Sequence, residues 1–326
     1  MRADAALASP GQVGPRQGIG RTESAPHSHE EATMPDTRVG LIGLGSMGRG
    51  IGRNLLKAGF PLTVFDVNLA AIEGLQQLGA EGVETPRAVA EHSDIVVTVL
   101  PNGPDVEAVA LGKDGIVEGA KPGTIVMDCS TIDPPVSMAL HAALAERGIR
   151  MVDAAMGRGS DQANDGTLLF MVGAEPEDFA AVKPLLEAAG ADVFHVGPPG
   201  HGITLKIVHN LLSLTMLAAS SEAMILAAKA GLNVHRTLEV LQASTTGHGH
   251  LRYSIPNQAM TGDYTPGFRA VLGQKDLRLG RNLATNLGVP LQTLGLSSEL
   301  FTAAVAKGRG DWHRRRSSRC WRRSSG

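Results

Sequence analysis

The chain has 326 residues, 43% apolar and 19% charged, with a formal net charge of −2. That is enough material for two packed domains, and the balanced charge argues against general affinity for nucleic acid or membrane, so neither is expected as a partner. Two cysteines, Cys129 and Cys320, cannot form a disulfide framework and suit a reducing, cytoplasmic setting. Polar residues interrupt every apolar run before the roughly 18 residues a bilayer span needs.

Residues 1–34 are rich in Ala, Gly, Pro and Ser, show no helical or strand period and lack the apolar segment of a signal peptide. They read as a disordered leader, either upstream of a true start at Met34 or a functional leader in its own right. An apolar run, Val39 to Ile42, then leads into Gly43-Leu44-Gly45-Ser46-Met47-Gly48 and a helical pattern carrying Ile51, Leu55 and Leu56. A GxGxxG between strand and helix is a dinucleotide fingerprint: Gly43 permits the turn, Gly45 lets the backbone approach a pyrophosphate, and Gly48 allows close helix packing. The next strand, LTVFDV, ends at Asp66, 21 residues beyond Gly45. A carboxylate there accepts from both ribose hydroxyls of NAD and repels the additional phosphate of NADP, so NAD is the expected cofactor.

Continuous apolar runs at 94–101, 123–130 and 150–156 read as parallel strands buried on both faces, with PPVSMALHAALAERG a helix between the last two. Ligands in such sheets lie at the carboxyl ends of strands, which places Leu100, Pro101, Asn102, Ser130 and Thr131 at the crevice. DAAM and TLLFMVG form two strand-like pieces around a loop holding Gly157, Arg158, Gly159 and Gly166. Arg158 reads either as an anion clamp or as a loop arginine pairing with Asp161 or Asp165.

After PPGHG comes about 28 residues of helical pattern, with Lys206, His209, Asn210 and Ser213 on one face. Apolar residues on nearly every other side predict a mostly buried helix. The polar stripe is either a solvated edge or the lining of a closed site at the junction with the dinucleotide domain. In a closed site, burial would draw the Lys206 amine toward neutrality and suit it to proton transfer, with Asn210 holding the ammonium or a substrate oxygen. No metal enters this reading. From Lys307 to Gly326 eight Lys or Arg meet one acid, a formal +7. That basic tail reads as the product of a frame change or truncation, or else as a segment for nucleic acid or anionic lipid.

These motifs together resemble the β-hydroxyacid dehydrogenase family, of which 3-hydroxyisobutyrate dehydrogenase is a member. The resemblance runs from about Arg38 to Asp311, on GLGSMG, DAAMGRGSDQANDGTL, GHGITLKIVHN and GQKDLRLG. It implies an α/β fold: a Rossmann-type doubly wound sheet over 35–198, then an all-helical substrate and dimerisation domain over 199–310, joined by the long interdomain helix, with 311–326 an aberrant tail. It further implies a catalytic role for Lys206, cofactor contacts from Leu100, Thr131 and Lys275, and a homodimer or homotetramer.

The substrate loop departs from the family's usual Pro-Val-Ser-Gly-Gly, reading Ala155-Met156-Gly157-Arg158-Gly159. That pattern, with TTGHGH (245–250) and SIPNQAMTGDYTPGF (254–268), resembles the sulfolactaldehyde reductase branch. The branch implies that Arg158, His209 and Ser213 hold a sulfonate, His209 standing where the branch has asparagine. A small anionic aldehyde is therefore expected as substrate: 3-sulfolactaldehyde, or a carboxylate such as the semialdehyde of 3-hydroxyisobutyrate or tartronate semialdehyde. A non-catalytic dinucleotide-binding scaffold is the alternative class, and the presence of Lys206 weighs against it.

Overall fold

The computed structural model describes residues 36–244, 246–247 and 270–310. The leader, the basic tail from 311 and nearly all of 245–269, with both motifs quoted from it, lie outside the described residues.

Eight strands form one sheet in the order β3-β2-β1-β4-β5-β6-β7-β8. They are β1 (Val39–Ile42), β2 (Leu62–Phe65), β3 (Glu81–Gly82), β4 (Ile95–Thr98), β5 (Ile125–Asp128), β6 (Arg150–Gly157), β7 (Leu168–Gly173) and β8 (Gly190–Gly197). The first six run parallel. Strand β7 turns antiparallel to β6, and β8 follows β7 in parallel. Burial on both faces explains the unbroken Val and Ile runs of β1, β4 and β5, whose residues are all buried.

One face is covered by α1 (Ser46–Lys57), α2 (Leu69–Gln76), α7 (Ser160–Asp165) and α8 (Pro176–Ala189), with Leu55, Leu75 and Leu186 in its core. The other carries α3 (Pro86–Glu91), α4 (Gly103–Leu111), α5 (Ile116–Gly119) and α6 (Pro134–Ala145), with Val89, Ile116 and Leu144 in its core. Short polar residues open several of these helices: the side chains of Asn68, Thr85 and Asn102 accept from Ala70, Ala88 and Asp105 N–H groups. The chain then runs through α9 (His201–Lys229), α10 (Val234–Ala243), α11 (Ala270–Asn286) and α12 (Thr293–Ala304). The architecture is thus a Rossmann-type sheet followed by a helical unit.

Helix α9 corrects one expectation. Of its 29 residues only Gly202, Ile203 and Ala227 are buried, whereas its apolar run predicts burial along its length. The described helices cover only a narrow side of it, and Val208, Leu211, Leu214 and Leu217 stand more than half exposed. A helix apolar all round needs cover, but its sequence does not say from which chain. Length and apolarity alone would let α9 cross a membrane. Its ends are instead bonded to protein: the first turn to Asp153 of β6, and Glu222 to the start of α12.

Candidate active site

Strand order reverses between β1 and β4, and at the carboxyl ends there the chain leaves a cavity of about 720 Å³. Gly43, Gly45, Ser46, Met47 and Gly48 form its floor, Asp66 stands at one side, and Leu100, Pro101 and Thr131 at the other. Leu44 is buried beneath, and its N–H donates to Asp66 Oδ2 at 2.6 Å. Asn68 N–H holds the second carboxylate oxygen at 2.7 Å. The Asp66 carboxylate is thereby fixed at the end of β2. Asn102 caps α4 and is absent from the cavity wall, which takes Asp105 instead.

The glycines test whether a dinucleotide fits. A Cβ on Gly45 would meet nothing within 4 Å, so the space a pyrophosphate needs lies open above it. The α1 N-terminus has no side-chain cap and no acid in its first turn, leaving its N–H groups and positive dipole end for an anion. Gly48 lets the start of α1 lie close on the end of β1, as its position in the fingerprint predicts: its Cβ would meet the Gly43 carbonyl oxygen at 1.9 Å. Gly52, one turn on, does the same against the side chains of Leu41 and Leu75.

Below the cavity, Leu100 N–H donates to Ser130 Oγ at 2.9 Å, and Ser130 N–H and Thr98 Oγ1 donate to Asp128 Oδ1 at 3.0 and 2.8 Å. This network ties the loops after β4 and β5 together. Burial pushes the Asp128 carboxyl upward, opposed by its bonds from Ser130 and Thr98. Burial, with the Asp128 charge beside it, also pushes the Cys129 thiol far up, away from the thiolate form.

Lys206 lies on the second turn of α9, half-buried, and burial holds its ammonium below the usual lysine range. Among the described residues it has no hydrogen-bond or ion-pair partner. Asn210, also half-buried, places Oδ1 3.2 Å from Nδ1 of exposed His209, and Ser213 is exposed. These four share a face without closing into a pocket, and none lines the dinucleotide cavity. They approach it through β6: Met156 lines the cavity, and Ala155 shares a core with Ile203 of α9.

Arg158 pairs neither with Asp161 nor with Asp165. From a left-handed backbone (φ +73°) its Nη1 donates to the Thr167 carbonyl at 2.6 Å and its Nη2 to Asp192 of β8. Gly157 is buried against Leu169, and Gly159 N–H donates to Gln162 Oε1 at 3.1 Å as α7 begins. A short helix thus occupies much of the stretch that reads as open loop. Lys275 lines a separate cleft between α11 and α12, 2.9 Å from Asp276. Among the described residues no His, Cys, Asp and Glu cluster could hold a metal.

Three residues at this site have roles that the motifs do not assign. Asp153, within DAAM, is buried and accepts from Gly200 and Ile203 N–H groups at 2.6 and 2.7 Å, capping α9. Asn54 donates to the carbonyls of Gly50 and Ala163 at 2.9 and 2.8 Å, fastening the dinucleotide helix α1 to α7. Asp192 is the partner of Arg158. An acid inside an apolar strand was the one available signal for Asp153; for the others the partner is known only in three dimensions.

Comparison with known proteins places this geometry in context. Residues 38–197 match the NAD binding domain of 6-phosphogluconate dehydrogenase, and residues 200–319 match the NAD-binding domain of NADP-dependent 3-hydroxyisobutyrate dehydrogenase. Among curated relatives, 3-sulfolactaldehyde reductase of Escherichia coli (strain K12) is 36% identical over 276 residues, 84% of this chain and 93% of its own. NAD-dependent L-serine dehydrogenase of Pseudomonas aeruginosa is 37% identical over 268 residues, 80% of this chain and 90% of its own. Among solved structures, Mycobacterium tuberculosis 3-hydroxyisobutyrate dehydrogenase with L-serine superposes with a TM-score of 0.62 at 26% identity, covering 88% of this chain and 99% of that one.

Proposed function

The chain belongs to the β-hydroxyacid dehydrogenase family, acting with NAD on a hydroxyl group, and on that premise we propose that it reduces a small anionic aldehyde, 3-sulfolactaldehyde first among them, and runs in reverse on the alcohol. One observation carries the mechanism: Lys206 is a half-buried amine without a partner among the described residues, on a helix seated against the strand whose Met156 lines the dinucleotide cavity. The nicotinamide, when bound, gives or takes the hydride. Lys206 gives the proton that the developing alkoxide needs, and takes it back in the alcohol direction. Its lowered proton affinity supports the donor task, because burial makes the ammonium readier to release its proton. Asn210, one turn along and half-buried, orients the ammonium or the substrate oxygen.

Arg158 is the proposed anion clamp. Thr167 and Asp192 take one N–H on each terminal nitrogen, and the guanidinium retains other N–H groups for a sulfonate or carboxylate oxygen. A tetrahedral sulfonate offers three acceptors, and His209 and Ser213 are proposed for those the arginine leaves. The Asp192 pairing favours a second reading: a guanidinium already partnered is a weaker clamp, which suits a carboxylate such as 3-hydroxyisobutyrate, tartronate semialdehyde or L-serine.

A panel of 2,3-dihydroxypropane-1-sulfonate, 3-hydroxyisobutyrate and L-serine, each with NAD and with NADP, tests the proposal. The sulfonate alcohol with NAD is expected to show the highest kcat/KM. Turnover of a carboxylate but not of the sulfonate would sink the sulfonate reading. Lys206→Ala is expected to lower kcat by about a thousandfold while NADH binding stays intact; undiminished turnover would remove Lys206 from the chemistry.

A further inference from the structure

The amine proposed as the proton carrier sits on a helix of which little is buried. Beyond Ile203, α9 has one further buried residue, Ala227, near its far end. The contact that sets where α9 meets the sheet is therefore its first turn, and three features built for that turn converge there. Asp153 Oδ1 accepts from Gly200 N–H at 2.6 Å and Oδ2 from Ile203 N–H at 2.7 Å, so each carboxylate oxygen holds one otherwise orphaned N–H of the helix start. A Cβ on Gly202 would lie 2.5 Å from the Met171 carbonyl oxygen and 2.6 Å from that of Asp153, so helix backbone rests directly on the backbones of β6 and β7. Gly200 takes φ +86°, the left-handed conformation that turns the chain into the helix. Gly173 completes the seat, because a Cβ there would strike both Asp153 oxygens and Gly202 N.

We propose that Asp153 is a positioning residue for Lys206: its buried carboxylate seats the first turn of α9 on the sheet and so fixes where the amine of the second turn lies. This rests on the proposed proton transfer by Lys206 and deepens it. A capping carboxylate is suited to the task because it accepts from two N–H groups with geometry that an amide cannot reproduce, one of whose two positions is itself a donor. Asp153 has no basic ion-pair partner among the described residues, so its ionised form is compensated by the helix N-terminus and its N–H groups. Burial pushes its carboxyl upward, countered by the N–H groups of Gly200 and Ile203. The titratable groups on the elements around the seat include Asp128 of β5, Arg150 of β6, His141 of α6, Asp178 of α8, Asp192 and His195 of β8, and His201 and Lys206 of α9 itself. Of these, His141 is the one whose charge would act on Asp153.

The test compares the full-length wild type with Asp153→Asn, and with Gly202→Ala, which attacks the same seat from the helix side. Both variants are expected to bind NADH as the wild type does, because the fingerprint and Asp66 lie elsewhere, and to lose kcat by roughly tenfold or more through misplacement of the amine. The second readout needs no turnover: Lys206 acylation by a limiting reagent, followed by peptide mass across pH. Burial on the seated helix holds the wild-type midpoint below that of an ordinary lysine, and unseating returns water to the amine, so the variant midpoint moves up. An unmoved midpoint with unchanged kcat would overturn the proposal, as would NADH affinity falling in step with kcat in both variants, which would make Asp153 a support of the whole fold. A moved midpoint alongside a fully active Lys206→Ala would keep Asp153 as the seat of Lys206 and refute the proton-transfer role instead.

Discussion

A methyl group added at Gly43 would lie 2.3 Å from the Val99 carbonyl oxygen, at a φ of +92° that L residues rarely adopt, whereas one added at Gly45 would meet nothing within 4 Å. The two glycines therefore serve different ends, as their places in the fingerprint imply. Gly43 is required by the fold of the turn, whereas nothing in the fold requires Gly45, for which the pyrophosphate is the proposed reason. Gly43→Ala is expected to cost about 1–3 kcal/mol of stability through strain and overlap. Gly45→Ala should melt within about 0.5 kcal/mol of the wild type, yet bind NADH at least about tenfold more weakly, because its methyl occupies pyrophosphate space. Thermal melts and NADH fluorescence titration on the pair check this; a Gly45→Ala variant with wild-type affinity would show that the phosphates lie elsewhere. Asp66 shows the same division within one side chain. The sequence reading gave it the ribose hydroxyls, and its oxygens also hold the N–H groups of Leu44 and Asn68. The proposed recognition and the observed local architecture would share a carboxylate there.

Helix α9 is held near both ends by buried or half-buried acids, and neither bond could be read from the periodicity of the chain. At its start the acid comes from the sheet, as Asp153. Toward its end the acid is its own: Glu222 accepts from Gln292, Thr293 and Leu294 N–H groups at 3.1, 2.7 and 2.9 Å and so caps α12. Although desolvation opposes it, these N–H bonds bring the Glu222 carboxyl below the usual range. A folded-state pKa below the unfolded value means that the bond's contribution is complete above the ordinary glutamate range and fades as pH falls through the folded value. Glu222→Gln is expected to cost about 1 kcal/mol at neutral pH, by analogy with loss of an N-cap, and the gap to the wild type should close in acid. Melts at several pH values decide; a gap that widens in acid would contradict the capping role. The strands, the fingerprint helix and the length of α9 were legible because period and glycine spacing are local properties. The partners of Asp153, Asn54 and Arg158 were not, because each lies on an element distant in sequence: Gly200, Ala163 and Asp192. Arg158 illustrates the cost of reading locally, since Asp161 and Asp165 are nearer along the chain but it is Asp192 that it bonds.

Between Lys206 and Glu222, α9 contains no Asp, Glu, Lys or Arg. In that stretch Val208, Leu211, Leu214 and Leu217 are 56%, 70%, 65% and 63% exposed. Contiguous apolar surface of this kind, beside a proposed active-site lysine, is a surface for association. A second copy of the chain is the proposed cover, since a helix face meeting its own equivalent across a twofold axis needs no other partner. Sedimentation velocity is then expected to find the wild-type chain as a dimer or tetramer, and a Leu211→Asp, Leu214→Asp variant as a monomer with reduced turnover. The loss of turnover would follow because Lys206 and Asn210 stand at the margin of the same face, half-buried in the single chain, and cover from a partner would complete the exclusion of water there. A variant that sediments as the wild type does would assign the face to cover from within the chain. A monomer with full turnover would leave the association real but the chemistry independent of it, and Lys206 would then need nothing beyond the seat that Asp153 provides.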